Sequence, residues 1–285
     1  MAKAAVRASK SRRPLLVVDG DSFAHRAYHG VPTTVLRAGR RPGNAILGFA
    51  NFLIRFHQAE KPRAVLVAWD TLEETTYRHE ALPSYQSERE FDDALLQQLD
   101  MLPEFVAACG FANARALGYE ADDFLAAAVR REEKKGGTAI VASGDRDAFQ
   151  LASARTTIVY PVKAGEMARI GPAEVMERYG VAPKQVPDFI ALRGDPSDRI
   201  PGAKGVGAVG AAALLARYPT LEAALADGLF ARQADDLRLY REIATMDAGA
   251  PLPRLPDMIP KWRKASALAK AWGLNALAER LAGLE

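Results

Sequence analysis

Nine acidic side chains fall in five short clusters, and three clusters stand where an apolar run ends. PLLVVD ends at Asp19, AVLVAWD at Asp70 and TAIVASGD at Asp145. If these runs are parallel strands, their carboxyl ends share one edge of a sheet, where ligands bind. Crowded carboxylates repel one another unless a cation lies between them, and hard divalent cations prefer oxygen ligands. The pattern therefore predicts a metal-dependent enzyme that acts on phosphates. The nine residues are Asp19, Asp70, Glu120, Asp122, Asp123, Asp145, Asp147, Asp195 and Asp198.

Two of the acidic clusters have a simpler explanation when each is taken alone. The acids of YEADD (119–123) fall in the first turn of a predicted helix, where the helix dipole already favours negative charge. Those of SGDRDAF (143–149) fit a turn that caps a short helix. Together with carboxylates at three strand ends, a shared metal site is the stronger interpretation.

The elements that must position these acids alternate in type over residues 14–160. Strand-like runs are LLVVD, AVLVAW, FANARAL, TAIVAS and RTTIVYP. Helix-like runs are NAILGFANFLIRF, FDDALLQQLDMLPEFVAAC and YEADDFLAAAVRREEKK. Such alternation predicts an α/β fold with a mostly parallel sheet flanked by helices. After about residue 171 only helical patterns remain, which predicts a C-terminal helical region.

The stretch PGAKGVGAVGAAALL contains Gly205, Gly207 and Gly210, which spell G-x-G-x-x-G. A dinucleotide-binding loop needs a strand before this motif, and RGDPSDRIPGAK does not read as one. A helix–hairpin–helix element fits better, because glycines allow a tight turn and the second helix offers free N–H groups to a phosphate. Lys204 and Arg199 would add positive charge. Two helices packed through a glycine turn remain the structural alternative.

Composition sets outer bounds on the function. The net charge is +3, but the start MAKAAVRASKSRRP carries five cations, so the remainder is slightly acidic. We expect residues 1–13 to form a disordered basic arm. The single cysteine, Cys109, excludes an intramolecular disulfide, and no apolar run reaches the roughly 20 residues of a membrane span. We therefore expect a cytoplasmic protein without a membrane partner.

A phosphatase of the haloacid dehalogenase type is a rival interpretation. Asp19-Gly20-Asp21-Ser22 follows an apolar strand and matches the D-x-D-x-[ST] opening of that class, with Asp19 as a covalent nucleophile. This interpretation leaves Asp70, the YEADD cluster and the glycine stretch unused.

With these residues assembled, the chain resembles the 5′-nuclease family, which comprises the N-terminal nuclease domain of bacterial DNA polymerase I and stand-alone flap endonucleases and 5′→3′ exonucleases. The matching stretches are LLVVDG, YRHEALPSY, GYEADD, SGDRDAFQL and GDPSDRIPGAKGVG. The resemblance implies a PIN-like nuclease core over 14–172, with a helical arch at about 71–93, and a helix–two-turn–helix (H3TH) DNA-binding region over 173–285. It also implies two Mg²⁺ or Mn²⁺ ions, and a monovalent cation such as K⁺ at the hairpin.

By matching position, the resemblance also assigns roles to residues. The first ion would be held mainly by Asp19, Asp70, Glu120 and Asp122. The second would be held mainly by Asp145, Asp147, Asp195 and Asp198, with Asp123 near the shared boundary. Arg78 and Arg89 match arch cations that would grip the scissile phosphate. DNA contacts would come from Tyr85, Gln86, Arg199, Lys204, Gly205, Gly207 and Gly210.

The chain departs from the family pattern at three positions. Gln86 stands where the family has a lysine in the arch, and Val209 where it has a lysine in the hairpin. Arg199 replaces the common asparagine. The metal ligands are all retained, whereas two cations that would face DNA phosphates are lost.

The resulting hypothesis is a stand-alone, monomeric 5′→3′ exonuclease and flap endonuclease acting on branched or nicked DNA in replication and repair. It would leave 5′-phosphates by a two-metal mechanism and work beside a separate DNA polymerase or ligase. Three alternatives stay open: a DNA-binding protein of the same fold with weak catalysis, a PIN-type ribonuclease, and the phosphatase.

Overall fold

The computed structural model describes residues 13–71, 74–87, 92–162 and 165–284. Its strands are β1 Leu15–Asp19, β2 Leu36–Arg37, β3 Arg41–Pro42, β4 Ala64–Ala68, β5 Ala112–Ala114, β6 Ala139–Ala142, β7 Thr156–Pro161 and β8 Met167–Ile170. Strands β2 and β3 form a small antiparallel hairpin. The other six form one sheet in the order β5-β4-β1-β6-β7-β8. All neighbours in that sheet are parallel except β7 and β8.

The five strands predicted from apolar runs are all present, and the predicted mostly parallel sheet is confirmed. Strand β8 was not predicted. It is an antiparallel edge strand of four residues, MARI, and only its last residue is buried. An edge strand is covered on fewer sides than a central one, so its sequence carries no continuous apolar run.

The helices surround this sheet. They are α1 Gly20–Gly30, α2 Asn44–Glu60, α3 Tyr77–Ala81, α4 Asp93–Leu99, α5 Leu102–Ala108, α6 Ala121–Lys134, α7 Pro172–Tyr179, α8 Val186–Arg193, α9 Ala208–Arg217, α10 Leu221–Ala226, α11 Ala234–Ala244, α12 Trp262–Ala271 and α13 Asn275–Ala282. The single helix predicted over 91–109 is wrong, because the chain breaks into α4 and α5. Pro103 lies in the first turn of α5, where a helix does not use the backbone N–H that proline lacks. In the interior of a longer helix that continued α4, the missing N–H would break a hydrogen bond, so the helix ends before Pro103.

Alternation along the central strand divides the core into two layers. Leu15 and Val17 of β1 face one cluster of buried residues, which includes α6, α8 and α11. Leu16 and Val18 face the other, which includes α1, α2, α4 and α5. The sheet is therefore a middle layer with helices on both faces, as its near-continuous apolar strands require.

The last two helices pack on the α/β core. Buried residues of α12 and α13 belong to the same cluster as α2 and α5. The Trp262 ring meets Phe111 and His57 edge-on, at centroid distances of 5.6 and 5.3 Å. The C-terminal part of the chain thus crosses from one face of the sheet to the other.

The segment proposed as an arch is only partly described. Within residues 74–87 the one helix is α3, which Thr76 begins as its N-cap and which is followed by turns. Residues 72–73 and 88–91, with Arg89 among them, lie outside the described residues, as do residues 1–12 of the predicted arm. No helix in the described ranges is long and apolar enough to cross a bilayer.

Candidate active site

Asp19 is the last residue of β1 and links that strand to the helix that follows. Its Oδ1 accepts a hydrogen bond from the Ser22 N–H at 3.0 Å, which caps α1, and its Oδ2 accepts from Ser143 Oγ at 2.7 Å. Burial raises the pKa of Asp19 to about 7, and the charges of Asp70 and Asp145 add to the rise. The metal-free site therefore favours a proton on this carboxyl.

Asp70 lies just beyond β4 and is held by two neighbouring elements. Its Oδ1 accepts a hydrogen bond from the Ala121 N–H in the first turn of α6, at 2.7 Å. Its own N–H donates to Asp21 Oδ2 at 2.7 Å. Asp21 is buried, and burial followed by the charge of Asp70 raises the pKa of Asp21 well above its ordinary value.

Asp122 lies near several other carboxylates of the site. Desolvation is the main cause that raises its pKa well above the ordinary value. Four carboxylates from three other parts of the chain add to the rise: Asp145, Asp19, Asp147 and Asp70. Acids distant in sequence thus lie near one another at the carboxyl edge of the sheet.

The turn after β6 places Asp145 and Asp147. Ser143 Oγ accepts a hydrogen bond from the Asp145 N–H at 3.0 Å, and Asp145 Oδ1 accepts from the Asp147 N–H at 2.8 Å. Gly144 packs closely on α1, because a Cβ at this residue would lie 2.3 Å from Arg26 Nε and 2.6 Å from Ser22 Oγ. A larger residue here would displace these two side chains.

The loop from 194 to 202 brings in the last acidic pair. Asp195 forms a backbone bridge with Ile200, and its Oδ2 accepts a hydrogen bond from Arg193 Nη2 at 2.9 Å. Burial raises the pKa of Asp147 well above its ordinary value, and Asp145, Asp198 and Asp195 contribute further. The charges of the loop acids therefore act on Asp147, which follows β6, so the loop lies near the carboxylates at the strand ends.

An open cleft of about 710 Å³ runs along this part of the site. Asp145 and Asp195 line it together with two cations, Arg146 and Arg193. A phosphate in the cleft would meet both guanidinium groups, which suit its oxygens in geometry and charge. Sequence reasoning did not assign Arg146 to the site, because an arginine between two aspartates reads equally well as a local charge balance.

The donor chemistry of the site fits hard divalent cations, although its geometry is open. Among the described residues, no group of three or more His, Cys, Asp or Glu side chains is close enough together to hold a metal ion. Mg²⁺ keeps several waters and is commonly held by only one or two carboxylates with substrate phosphates, so it does not need a closed protein cage. The clustered donors are carboxylate oxygens. The pKa values of Asp19, Asp122 and Asp147 are raised by burial and by neighbouring carboxylates, and a cation would relieve that repulsion.

Asp123 and Arg78 form a buried ion pair beside Glu120, whose Oε2 lies 3.3 Å from Arg78 Nη1. Arg78 is 2 % exposed and donates from Nη1 and Nη2 to the two oxygens of Asp123, at 3.0 and 2.7 Å. Asp123 also accepts from the backbone N–H groups of Glu120 and Asp247. The roles of Asp123 as a metal ligand and of Arg78 as a phosphate-gripping cation stay predictions.

Glu120 and the predicted arch residues form one network. Glu120 accepts hydrogen bonds from Thr76 Oγ1 at 2.7 Å and from Tyr85 Oη at 3.0 Å. Gln86 Nε2 donates to Asp198 Oδ1 at 2.9 Å. Tyr85 is 4 % exposed, and its hydroxyl is bound to the Glu120 carboxylate. Its contact with DNA stays a prediction.

The predicted helix–hairpin–helix corresponds to α8, the loop 194–207 and α9. Lys204, Gly205, Gly207 and Gly210 are exposed, as is Arg199. In the described residues 171–207, helices and loops lie directly before the glycines instead of the strand that a dinucleotide-binding loop needs, so that interpretation is excluded. Val209, at the start of α9, is 85 % exposed.

Comparison with known proteins is decisive for the family. A model of the 5′-3′ exonuclease N-terminal resolvase-like domain matches residues 14–180, and one of the 5′-3′ exonuclease C-terminal SAM fold matches residues 181–265. This chain belongs to the 5′-3′ exonuclease family. The two family models meet between residues 180 and 181. The boundary after residue 172 stays a prediction.

Relatives of this family member include a 5′-3′ exonuclease of Mycobacterium tuberculosis strain H37Rv. It is 31 % identical over 310 residues, which cover 95 % of this chain and 97 % of the relative. DNA polymerase I of Mycobacterium bovis is 35 % identical over 262 residues, covering 88 % of this chain. The chain spans only 29 % of that polymerase's length.

Solved structures share the fold of this family member. The T5 D15 protein co-crystallised with metal ions gives a TM-score of 0.65 at 17 % identity, with 95 % of this chain and 99 % of the other covered. The catalytic core of Rad2 in complex with DNA substrate gives 0.61 at 14 % identity, with 95 and 90 % covered.

The sequence pattern did not assign Asp21 to the metal ligands of the site. Asp21 contacts Asp70 and is buried, yet it was weighed only as part of the phosphatase motif. The available signal was its spacing, because it lies two residues after Asp19 in the first turn of α1.

Proposed function

We propose that the chain is a divalent-metal-dependent 5′→3′ exonuclease and flap endonuclease that hydrolyses phosphodiester bonds of branched or nicked DNA. The observation that carries the proposal is the position of Asp122. Its pKa is raised by burial and by carboxylates at the ends of three strands, namely Asp19 in β1, Asp70 after β4 and Asp145 after β6. A T5 D15 flap endonuclease with DNA and metal ions, whose TM-score is 0.64, supports the same assignment.

The chain's own groups have distinct parts in this reaction. One ion would be held mainly by Asp19, Asp70, Glu120 and Asp122, and a second mainly by Asp145, Asp147, Asp195 and Asp198. Arg146 and Arg193 would bind the oxygens of the scissile phosphate. When bound, Mg²⁺ or Mn²⁺ would supply a reactive water at neutral pH and neutralise the charge on the attacking and leaving oxygens. The expected products carry a 5′-phosphate and a 3′-hydroxyl.

The region from α8 to α9 would bind the duplex backbone. The free N–H groups at the start of α9, a helix of 10 residues, lie beside exposed Gly205, Gly207 and Lys204. Backbone phosphates are natural partners for such groups, and these contacts carry affinity without sequence preference. A monovalent cation such as K⁺ in the 194–207 loop is part of the proposal.

A labelled 5′-flap duplex tests this function. With Mg²⁺ or Mn²⁺ the protein should release the flap, and Asp145→Asn should abolish release without altering the fold. Asp235→Asn is the control, because Asp235 is exposed on α11 and pairs only with Arg238. Undiminished cleavage by Asp145→Asn would remove the metal assignment, and cleavage of an RNA flap in preference to DNA would favour a ribonuclease.

A second candidate is a DNA-binding protein of this fold with weak catalysis. It is favoured by Gln86 and Val209, which provide no charge at two positions where the family has lysines, and by the open spacing of the carboxylates. A gel shift with the flap duplex, but no product with either ion, would support this candidate.

The wider setting is proposed as well. We propose a monomer with a nuclease core over 14–172 and a helical region over 173–285, acting in the bacterial cytoplasm beside a separate DNA polymerase or ligase. The buried, unpaired thiol of Cys109 suits a reducing compartment. Size-exclusion chromatography with light scattering would test the oligomeric state.

A further inference from the structure

Tyr85 and Gln86 form a hydrogen-bonded bridge between two halves of the acidic site. Gln86 Nε2 donates one hydrogen to Asp198 Oδ1 and the other to Tyr85 Oη, both at 2.9 Å. Tyr85 Oη in turn donates to Glu120 Oε2 at 3.0 Å. The bridge therefore connects a carboxylate at the start of α6 with one in the 194–202 loop.

The backbone holds this bridge in an unusual conformation. Gln86 and Arg199 both have left-handed φ angles, of 47° and 57°. That conformation costs roughly 1–2 kcal/mol for a residue with a Cβ, and it persists where the surroundings enforce it. The enforcing contacts are Gln86 N–H to the Asp198 carbonyl at 3.4 Å and Arg199 Nη1 to Ser87 Oγ at 2.9 Å. Residues 85–87 are thus docked on the loop that carries Asp198.

Gln86 suits a bridge better than a phosphate contact. Its amide has no charge, but its two N–H donors lie in one plane with fixed directions. In this structure both are used, one for each neighbour, and Tyr85 completes its own donor and acceptor roles. A lysine here would add charge, whereas glutamine adds a fixed orientation.

We propose that Gln86 is a positioning residue that orients Asp198 directly, and Glu120 through Tyr85, toward a divalent cation. The inference rests on the proposed function only in placing a divalent ion among these carboxylates. Hydrogen bonds to ligating carboxylates fix their orientation, and their loss commonly costs about 10–100-fold in metal affinity. Positioning through the bridge therefore predicts a change in ion binding before any DNA is present.

The test measures Mn²⁺ binding to the metal-stripped full chain by calorimetry, without DNA. Gln86→Met keeps the side-chain length and removes both donors, and it should weaken Mn²⁺ binding by about 10-fold. Tyr85→Phe should weaken it similarly, because it removes the hydrogen bond to Glu120. Circular dichroism and thermal unfolding show that each variant is folded.

Gln185→Met is the matched control. Gln185 Nε2 also makes two hydrogen bonds, to the carbonyls of Leu215 and Pro219 at 3.1 Å each, but it contacts no acid of the site. Its Mn²⁺ affinity should equal that of the unaltered protein. Equal affinities for Gln86→Met and the unaltered protein would overturn the inference.

The outcomes separate this inference from the proposed function. Slower flap cleavage by Gln86→Met with unchanged Mn²⁺ affinity would mean that Gln86 contacts only the substrate, and the inference would fail while the nuclease assignment stands. Weaker Mn²⁺ binding in a protein that cleaves no flap would support the bridge while the nuclease assignment fails. An unaltered protein that binds no Mn²⁺ would end both.

Discussion

Arg78 and Asp123 are opposite charges enclosed in the protein, with side chains 3 and 0 % exposed. Arg78 also donates from Nε to the Ile243 carbonyl at 2.9 Å, so the pair ties the segment around α3 to the end of α11. A buried pair of this kind adds little net stability over an apolar pair, but breaking it is costly, because Glu120 Oε2, 3.3 Å from Arg78 Nη1, would compensate the arginine charge only in part.

Asp123→Asn is therefore expected to lower the free energy of unfolding by about 3–5 kcal/mol. Denaturant unfolding of the metal-free protein measures this loss. Asp122→Asn is the neighbouring comparison, and it should leave the stability unchanged or raise it, because it removes a carboxylate that others repel. An Asp123→Asn protein with full stability but lost Mn²⁺ binding would assign Asp123 to the metal ligands.

The raised pKa values of the acidic site predict a pH dependence of stability without metal. The pKa of Asp19 is about 7 in the folded chain, whereas an unfolded aspartate titrates near 3.9. The folded state therefore binds more protons between these values, so stability falls as the pH rises from about 4 to about 7 and changes little beyond. The Tm in EDTA should fall across this window, and Asp122→Asn should reduce the fall. A Tm in EDTA that rises between pH 5 and pH 7 would contradict the crowded site.

At the scale of elements, the 194–202 loop depends on two glycines that touch. Gly202 has φ +78°, and a Cβ there would lie 2.4 Å from the Gly194 backbone nitrogen. Gly205 has a similar φ of +80° but open space around it. Substitutions at Gly205 and Gly202 therefore separate two contributions to the free energy of unfolding. Gly205 reports the cost of the left-handed backbone alone, and Gly202 reports that cost together with a steric clash.

Gly205→Ala should cost roughly 1–2 kcal/mol through backbone conformation alone. Gly202→Ala should cost clearly more and should weaken Mn²⁺ binding, because the loop that carries Asp195 and Asp198 must shift. Denaturant unfolding and calorimetry on both variants provide the measurement. Equal costs would mean that the loop yields without disturbing the acids.

The start of α9 offers a test of the proposed duplex contact. Val209→Lys should tighten binding to duplex DNA and steepen its salt dependence by about 0.9 in the slope of log K against log[salt], as one added phosphate contact requires. Ile259→Lys is the control, because Ile259 is also 85 % exposed but lies away from α9. The N–H of the preceding residue, Met258, donates to the Arg63 carbonyl, which places this segment at the amino end of β4. Fluorescence anisotropy across a salt series measures both. Equal slopes for the two variants would place the duplex elsewhere.

At the scale of the whole molecule, apolar runs predicted the layers and the edge where the acids lie. The apolar runs in PLLVVD, AVLVAWD and TAIVASGD have the length of strands, and parallel strands have their carboxyl ends at one edge of the sheet. These two facts were enough to predict that their three carboxylates lie at the same edge. The packing of α12 and α13 on α2 and α5 could not be predicted, because an amphipathic helix does not specify which apolar face it will cover.

The roles of individual charges were harder to predict than their positions. Asp122 and Asp123 are adjacent in the first turn of α6, yet one lies among carboxylates and the other bonds Arg78. Helical geometry turns successive side chains about 100° apart, so the partner depends on which elements meet each face. That information came from α3, whose Arg78 contacts Asp123 of α6 only in the folded chain.

The central claim is that carboxylates distant in sequence share divalent ions at the carboxyl edge of the sheet. A crystal grown with Mn²⁺ and measured at the manganese absorption edge tests it most directly. We predict anomalous peaks beyond the ends of β1, β4 and β6, with oxygens of Asp19, Asp70 or Asp122 within about 2.0–2.3 Å. A well-ordered crystal with no peak among these oxygens, or with manganese only elsewhere on the protein, would contradict the account.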